Sequence, residues 1–109
     1  MKFKNKITFE TALEFENLIK NGDYNLSCLI IDISLENLKN KRKVIPILSV
    51  YTIDEDMIFD ITLDREDIEQ TLNQNLNIME KFEDYERCQQ IVEGLNFLKN
   101  KKIKKNKKK

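Results

Sequence analysis

The sequence predicts an α+β fold: a small, mostly antiparallel sheet in the order β-α-β-β-β, then a C-terminal αα-hairpin and a disordered lysine-rich tail. Three observations carry this prediction. Val44–Ile53 and Met57–Asp64 are apolar or alternating runs separated by Asp54-Glu55-Asp56, the pattern of an antiparallel hairpin. Ile68, Leu72, Leu76, Met79 and Phe82 form one apolar stripe at helical spacing, and Tyr85, Cys88, Ile91, Val92, Leu95 and Leu98 form a second. Between them Glu83-Asp84 breaks the period, so the two stripes read as an αα-hairpin.

Each remaining element has its own signal. Phe3, Ile7 and Phe9 alternate with Lys2, Lys4, Lys6 and Thr8, a half-buried strand whose outer row is the lysine protection of an edge. Thr11 and Glu14 have capping-box spacing, Ala12, Phe15, Leu18 and Ile19 make a helical stripe, and Gly22 stops it. Leu26–Ile33 is apolar and β-branched and reads as an inner strand. The polar stretch after it, ending in Lys39-Asn40-Lys41-Arg42-Lys43, reads as a loop or short helical turn. Val44–Ile53 is apolar on both rows, which suits a central strand, and Pro46 implies a bulge within it. Asp64 is a candidate N-cap for the first hairpin helix, with further acid in its first turn.

At 109 residues the chain fits one domain, expected over 1–98 with the helical hairpin at about 64–98 and a basic tail at 99–109. No apolar run approaches bilayer length, and no apolar segment follows the basic N-terminal residues as in a secretory signal. A cytoplasmic location is the expectation. Cys28 and Cys88 belong to no Cys-x-x-Cys pair and read as small hydrophobes; a disulfide between them is the minority reading.

The residue inventory points away from an enzyme. With no histidine, Ser-His and Cys-His chemistry and most zinc sites are excluded. Gly22 and Gly94 are the only glycines, so no glycine-rich phosphate loop exists and no cofactor motif is present. Asp54, Asp56, Asp60 and Asp64 are the remaining candidates for a hard cation, but they fall in a turn, on a solvated strand row and at a helix cap.

Charge layout is more informative. Lysines and arginines equal acids at 19 each, yet eight lysines lie in 99–109, which leaves a body of net −8 over positions 1–98. From Asp54 to Glu93 there are thirteen acids against Arg65, Lys81 and Arg87. Such an excess attracts basic clefts on another protein. The candidate partner-binding residues are Glu66, Asp67, Glu69, Glu80, Glu83, Asp84, Glu86 and Glu93.

The expected function is therefore a non-enzymatic interaction or inhibitor protein whose acidic hairpin docks a basic partner surface. One specific form is a small inhibitor filling a nucleic-acid groove on a nuclease or defence complex, as phage-encoded anti-CRISPR proteins do. The alternative is nucleic-acid binding through Lys39, Lys41, Arg42 and Lys43 together with Lys101, Lys102, Lys104 and Lys105, with no interleaved aromatics and so by charge alone. A homodimer through the second hairpin stripe is a third expectation, and no membrane partner is expected.

Residues 76–88, Leu-Asn-Ile-Met-Glu-Lys-Phe-Glu-Asp-Tyr-Glu-Arg-Cys, with Ile91 and Leu95 beyond them, resemble the UVR helical hairpin of bacterial nucleotide excision repair proteins and some kinase-activating adaptors. The matching core is Glu83-Asp84-Tyr85-Glu86. Cys88 and Gln89 stand where that family favours two small residues, and Val92 and Glu93 where it favours an Arg-Asp pair. The resemblance implies a docking element with no catalytic role.

Overall fold

The computed structural model describes residues 3–107, with side chains as far as Lys101. In chain order the described elements are β1 (Lys6–Phe9), α1 (Ala12–Lys20), α2 (Tyr24–Glu36), β2 (Val44–Thr52), β3 (Met57–Asp64), a 3-10 turn (Arg65–Asp67), α3 (Ile68–Lys81) and α4 (Tyr85–Lys107). The class is α+β, with the order β-α-α-β-β-α-α in place of the expected β-α-β-β-β-α-α.

The sheet is mixed, in the order β1-β2-β3. β1 runs parallel to β2, from Lys6 opposite Ser49 to Phe9 opposite Thr52. β2 and β3 form the antiparallel hairpin that the alternation predicts, with Thr52 opposite Met57 across the turn. The register shifts between Pro46 and Leu48, so Ile47 is the extra residue of a bulge. That is where proline, which has no N–H for the ladder, led the sequence reading to place one.

Leu26–Ile33 is helix, not strand. Asp23 caps it, its carboxylate accepting the Leu26 N–H at 3.0 Å. The reason the sequence misleads lies in the packing: α2 rests on β2 and is covered in turn by α3 and α4. A helix buried on several sides needs apolar residues all round, and loses the one-sided stripe by which helices are recognised. Leu26, Leu29, Ile30, Ile31, Ile33 and Leu35 all pack in or against the core. The polar residues fit helical spacing instead: Ser27 and Ser34, two turns apart, are both buried, and the Ser34 hydroxyl donates to the Ile30 carbonyl at 2.6 Å.

The core itself is continuous. Phe15 of α1, Ile31 of α2, Ile45, Leu48 and Val50 of β2, Ile68, Leu72 and Met79 of α3, and Ile91 of α4 are buried in one cluster. Gly94 lets α4 approach the end of α2: a β-carbon there would lie 2.7 Å from Leu35 Cδ2 and 3.2 Å from Leu38 Cδ1.

Both helix–helix turns use one device. After α1, Gly22 (φ 66°) donates to Ile19 O and Asp23 donates to Leu18 O at 3.0 Å, and Asp23 then caps α2. After α3, Glu83 (φ 58°) donates to Glu80 O and Asp84 donates to Met79 O at 2.9 Å. Asp84 then caps α4, accepting the Arg87 N–H. Each turn is a Schellman ending whose last residue opens the next helix, so no flexible residue separates the pair. Glu83 holds the left-handed conformation that Gly22 holds in the other turn, at a steric cost of about 1 kcal/mol for a residue with a β-carbon.

Two helix boundaries differ from expectation. Asp64 makes no capping bond, because the chain passes through the 3-10 turn at Arg65–Asp67 before α3 begins. Residues 99–107, expected as disordered tail, continue α4. Lysine is a good helix former, and extending an existing helix avoids the cost of nucleation. Lys108 and Lys109 lie outside the described residues.

Candidate functional site

The eight acids read as one docking surface separate into groups. Glu66, Asp67 and Glu69 stand at the start of α3, while Glu80, Glu83 and Glu86 surround its far end. Fourteen residues of helix at a rise of about 1.5 Å put the groups about 20 Å apart. Between them the exposed face of α3 is amide-rich, with Gln70, Asn73, Gln74 and Asn77. Glu93 lies about 10 Å along α4 from Glu86 and accepts a hydrogen bond from Gln89.

Asp84 is turned to a structural task. Its carboxylate accepts the Tyr24 hydroxyl at 2.6 Å, the Arg87 guanidinium at 3.0 Å and the Arg87 backbone N–H at 3.2 Å. Arg87 reaches on to Asp32 of α2 at 3.3 Å. The chain Tyr24–Asp84–Arg87–Asp32 thus ties the α3–α4 turn to α2 at two points. Hydrogen bonding sets the protonation states: Asp84 pushes the Tyr24 phenol up to about 12, with a further contribution from Cys28. The same Tyr24 bond, with those from Arg87, lowers Asp84. Asp32 and Asp84 raise Arg87 above the usual arginine range. Cys28 and Cys88 are free thiols, both half-buried, and burial raises that of Cys88.

A carboxyl group held below its ordinary value stabilises the fold above the unfolded-state pKa, and the contribution fades as pH falls through the folded value. Asp84→Asn is therefore expected to be less stable than the wild type at neutral pH. The two should converge once the pH drops below the ordinary carboxylate range, as urea titrations at pH 7 and at low pH will read.

What the turn shows to solvent was not legible as a surface. Phe82 and Tyr85, assigned above to the buried stripes, are 50% and 67% exposed. Phe82 ends α3 and Tyr85 opens α4, on either side of the left-handed Glu83 and outside the core that Met79 and Ile91 share. Phe82 leans on Tyr24, ring centroids 5.3 Å apart, so its position is fixed although half its surface is free. Two aromatics and the exposed Glu80, Glu83 and Glu86 thus share seven residues of a turn that is pinned from below. An aromatic within a terminal Glu-Asp-Tyr-Glu turn, rather than mid-helix, was the available signal.

The basic candidates divide differently. Lys39, Lys41, Arg42 and Lys43 are exposed in the loop after α2, and Lys101 is exposed on α4. The side chains of Lys102, Lys104 and Lys105 lie outside the described residues. Sequence reasoning passed over Arg65, which anchors this loop: its guanidinium donates to the carbonyls of Arg42 and Asn37 and to Asn40 Oδ1.

The Asp54–Asp64 carboxylates do not converge. Asp56, in the turn, accepts from the Tyr51 hydroxyl, while Asp60 of β3 accepts from the Ser49 hydroxyl opposite it on β2. No group of three or more metal-ligating side chains occurs among the described residues. Nor is any described helix long and apolar enough to cross a membrane. Comparison with protein-family models, curated proteins and solved structures finds no match to this chain.

Proposed function

We propose that the α3–α4 turn is a docking element for a basic surface on another protein. The observation that carries this reading is the pairing of two exposed aromatics, Phe82 and Tyr85, with the carboxylates of Glu80, Glu83 and Glu86 on one rigid turn. Aromatic side chains supply contact area at small entropic cost and dominate the binding energy of many interfaces. A rim of carboxylates around them steers a cationic partner and rejects an anionic one. The Asp84 network adds the third requirement. Because the turn is ordered before contact, little conformational entropy is lost on binding.

In this reading Asp84 supports the site and does not touch the partner. The acids at the start of α3 and Glu93 contribute to the long-range field only. The protein acts by occupying a basic surface, as an adaptor or an inhibitor does, rather than by catalysis.

The test compares capture from native lysate by the wild type and by the triple variant Tyr85→Ala, Glu83→Gly, Glu86→Gln. Glycine at 83 relieves the left-handed strain, so the variant keeps its turn while losing its surface. The wild type is expected to retain a discrete basic protein after nuclease treatment. The variant is expected to retain it about tenfold less, or lower still. Identical captured proteins, in identical amounts, would sink the reading.

A further inference from the structure

We infer that the opposite end of the hairpin, where the 39–43 loop meets α4, binds the phosphate backbone of nucleic acid. This goes beyond the docking reading and uses different residues. Lys39 is sixty residues from Lys99 in sequence, yet the fold brings their segments together. Gly94 seats α4 against Leu35 and Leu38 at the end of α2, and the chain leaves that point directly into the loop. One turn on, Lys39 Nζ lies over the Phe97 ring, 5.9 Å from its centroid. Lys101 follows Phe97 by four residues and so occupies the same helix face, about 6 Å further along. Exposed Lys39 and Lys101 thereby share one side of this end, with exposed Lys41, Arg42 and Lys43 following Lys39 in the loop, some 20 Å from Glu86 along α4, while Lys99 stands on the other side of the helix.

The loop is held in shape rather than left to wander. Arg65 clamps it at Asn37, Asn40 and Arg42, and the Arg42 N–H donates to Asn40 Oδ1 at 3.1 Å. The Asn37, Arg42 and Lys43 carbonyls and the Arg42 N–H are thus satisfied within the fold, and the cations are carried on a fixed frame. Fixed spacing suits a partner whose charges are themselves regularly spaced.

The company these cations keep selects the partner. The exposed neighbours on α4 are amides, Asn96 and Asn100, which hydrogen-bond phosphate and sugar oxygens. Among the described residues of this end the exposed large apolar side chains are Val44 and, one turn before Asn96, Val92, each isolated and small. A protein partner wants an aromatic or aliphatic anchor at the centre of its contact, and an anionic membrane wants an apolar face to insert. Asp64 and Glu66 beside Lys43, and Glu36 beside Arg42, temper this charge without cancelling it, and the remaining excess of cations with amides fits a phosphate backbone, read without regard to sequence.

The experiment uses the full chain and fluorescence anisotropy with a labelled duplex of about 20 base pairs and a single strand of about 20 nucleotides, between about 50 and about 200 mM salt. Binding is expected to weaken linearly in log–log form as salt rises. The variant Lys39→Ala, Lys41→Ala, Lys43→Ala should bind about tenfold more weakly at the lowest salt, with a slope reduced by about 3, one for each cation removed. The matching Lys→Arg triple should restore both, which separates lost charge from lost fold. Tyr85→Ala should change neither, so failure here and failure of the docking reading are read separately. No anisotropy change at low salt would overturn the proposal. So would wild-type affinity and slope in the alanine triple, since binding would then not use the lysines of the 39–43 loop. Tighter binding to phosphatidylserine vesicles than to either nucleic acid would overturn it in favour of a membrane surface.

Discussion

Gly94→Val is expected to lower the unfolding free energy by about 3 kcal/mol and to lift α4 from the end of α2. The site has no room for a branched side chain, because even a β-carbon would approach Leu35 Cδ2 to 2.7 Å. That atom is the free end of a half-buried leucine, so alanine is accommodated by a rotation of Leu35. The residual strain of Gly94→Ala is offset by a gain in helix propensity of about 1 kcal/mol, leaving that variant near neutral. Valine adds two γ-methyl groups on a stiff χ1 and cannot use the same escape. Urea denaturation of Gly94→Val with and without Leu35→Ala tests the cause. If the clash is responsible, the valine costs at least about 1 kcal/mol less in the Leu35→Ala background. Equal costs in both backgrounds would place the effect elsewhere.

Leu72→Ala is expected to cost about 3–4 kcal/mol. Leu72 is fully buried on the face of α3 that meets α2 and α4, so truncation opens a cavity where three helices converge. For a domain whose total stability is about 5–15 kcal/mol, that loss brings unfolding within reach of mild conditions. The variant should still unfold in one step, with near- and far-ultraviolet circular dichroism changing together, because α2 joins sheet and hairpin into one core. Two separated transitions would show that the hairpin and the sheet hold their structures independently.

Local patterns in the sequence specified most of the fold where burial is one-sided. The β2–β3 hairpin, the bulge near Pro46, the α1 start at Thr11 and the two hairpin helices all follow from spacing and caps. α2 was misread because a helix enclosed by sheet and hairpin has the composition of a buried strand. That single error also made the sheet four-stranded and mostly antiparallel, when it has three strands and a parallel pair. At the site, the sequence named the charges but not their grouping. Which acids share a surface depends on helix length, and which aromatics face water depends on how the α3–α4 turn sits on α2. Asp84 illustrates the limit: as a residue type it is one more carboxylate, and only Tyr24, sixty positions away, turns it into a structural pin. The nearness of Lys39 to α4 was equally hidden, since it depends on how Gly94 packs.

The four residues of β1 guard more than their own pairing. β2, Val-Ile-Pro-Ile-Leu-Ser-Val-Tyr-Thr, carries no charge at all, and one of its edges is closed by Lys6–Phe9, with the Asn5 carbonyl accepting the Ser49 N–H beside them. That closure joins positions more than forty residues apart and so forms late in folding, after local helices and the β2–β3 turn. Until it forms, an uncharged strand presents an open ladder to any other copy of the chain, the arrangement from which intermolecular sheets grow. Lys6, the charge of β1, thus matters in the crowded setting of synthesis as much as in the finished molecule, because the segment that closes β2 also keeps neighbouring chains apart.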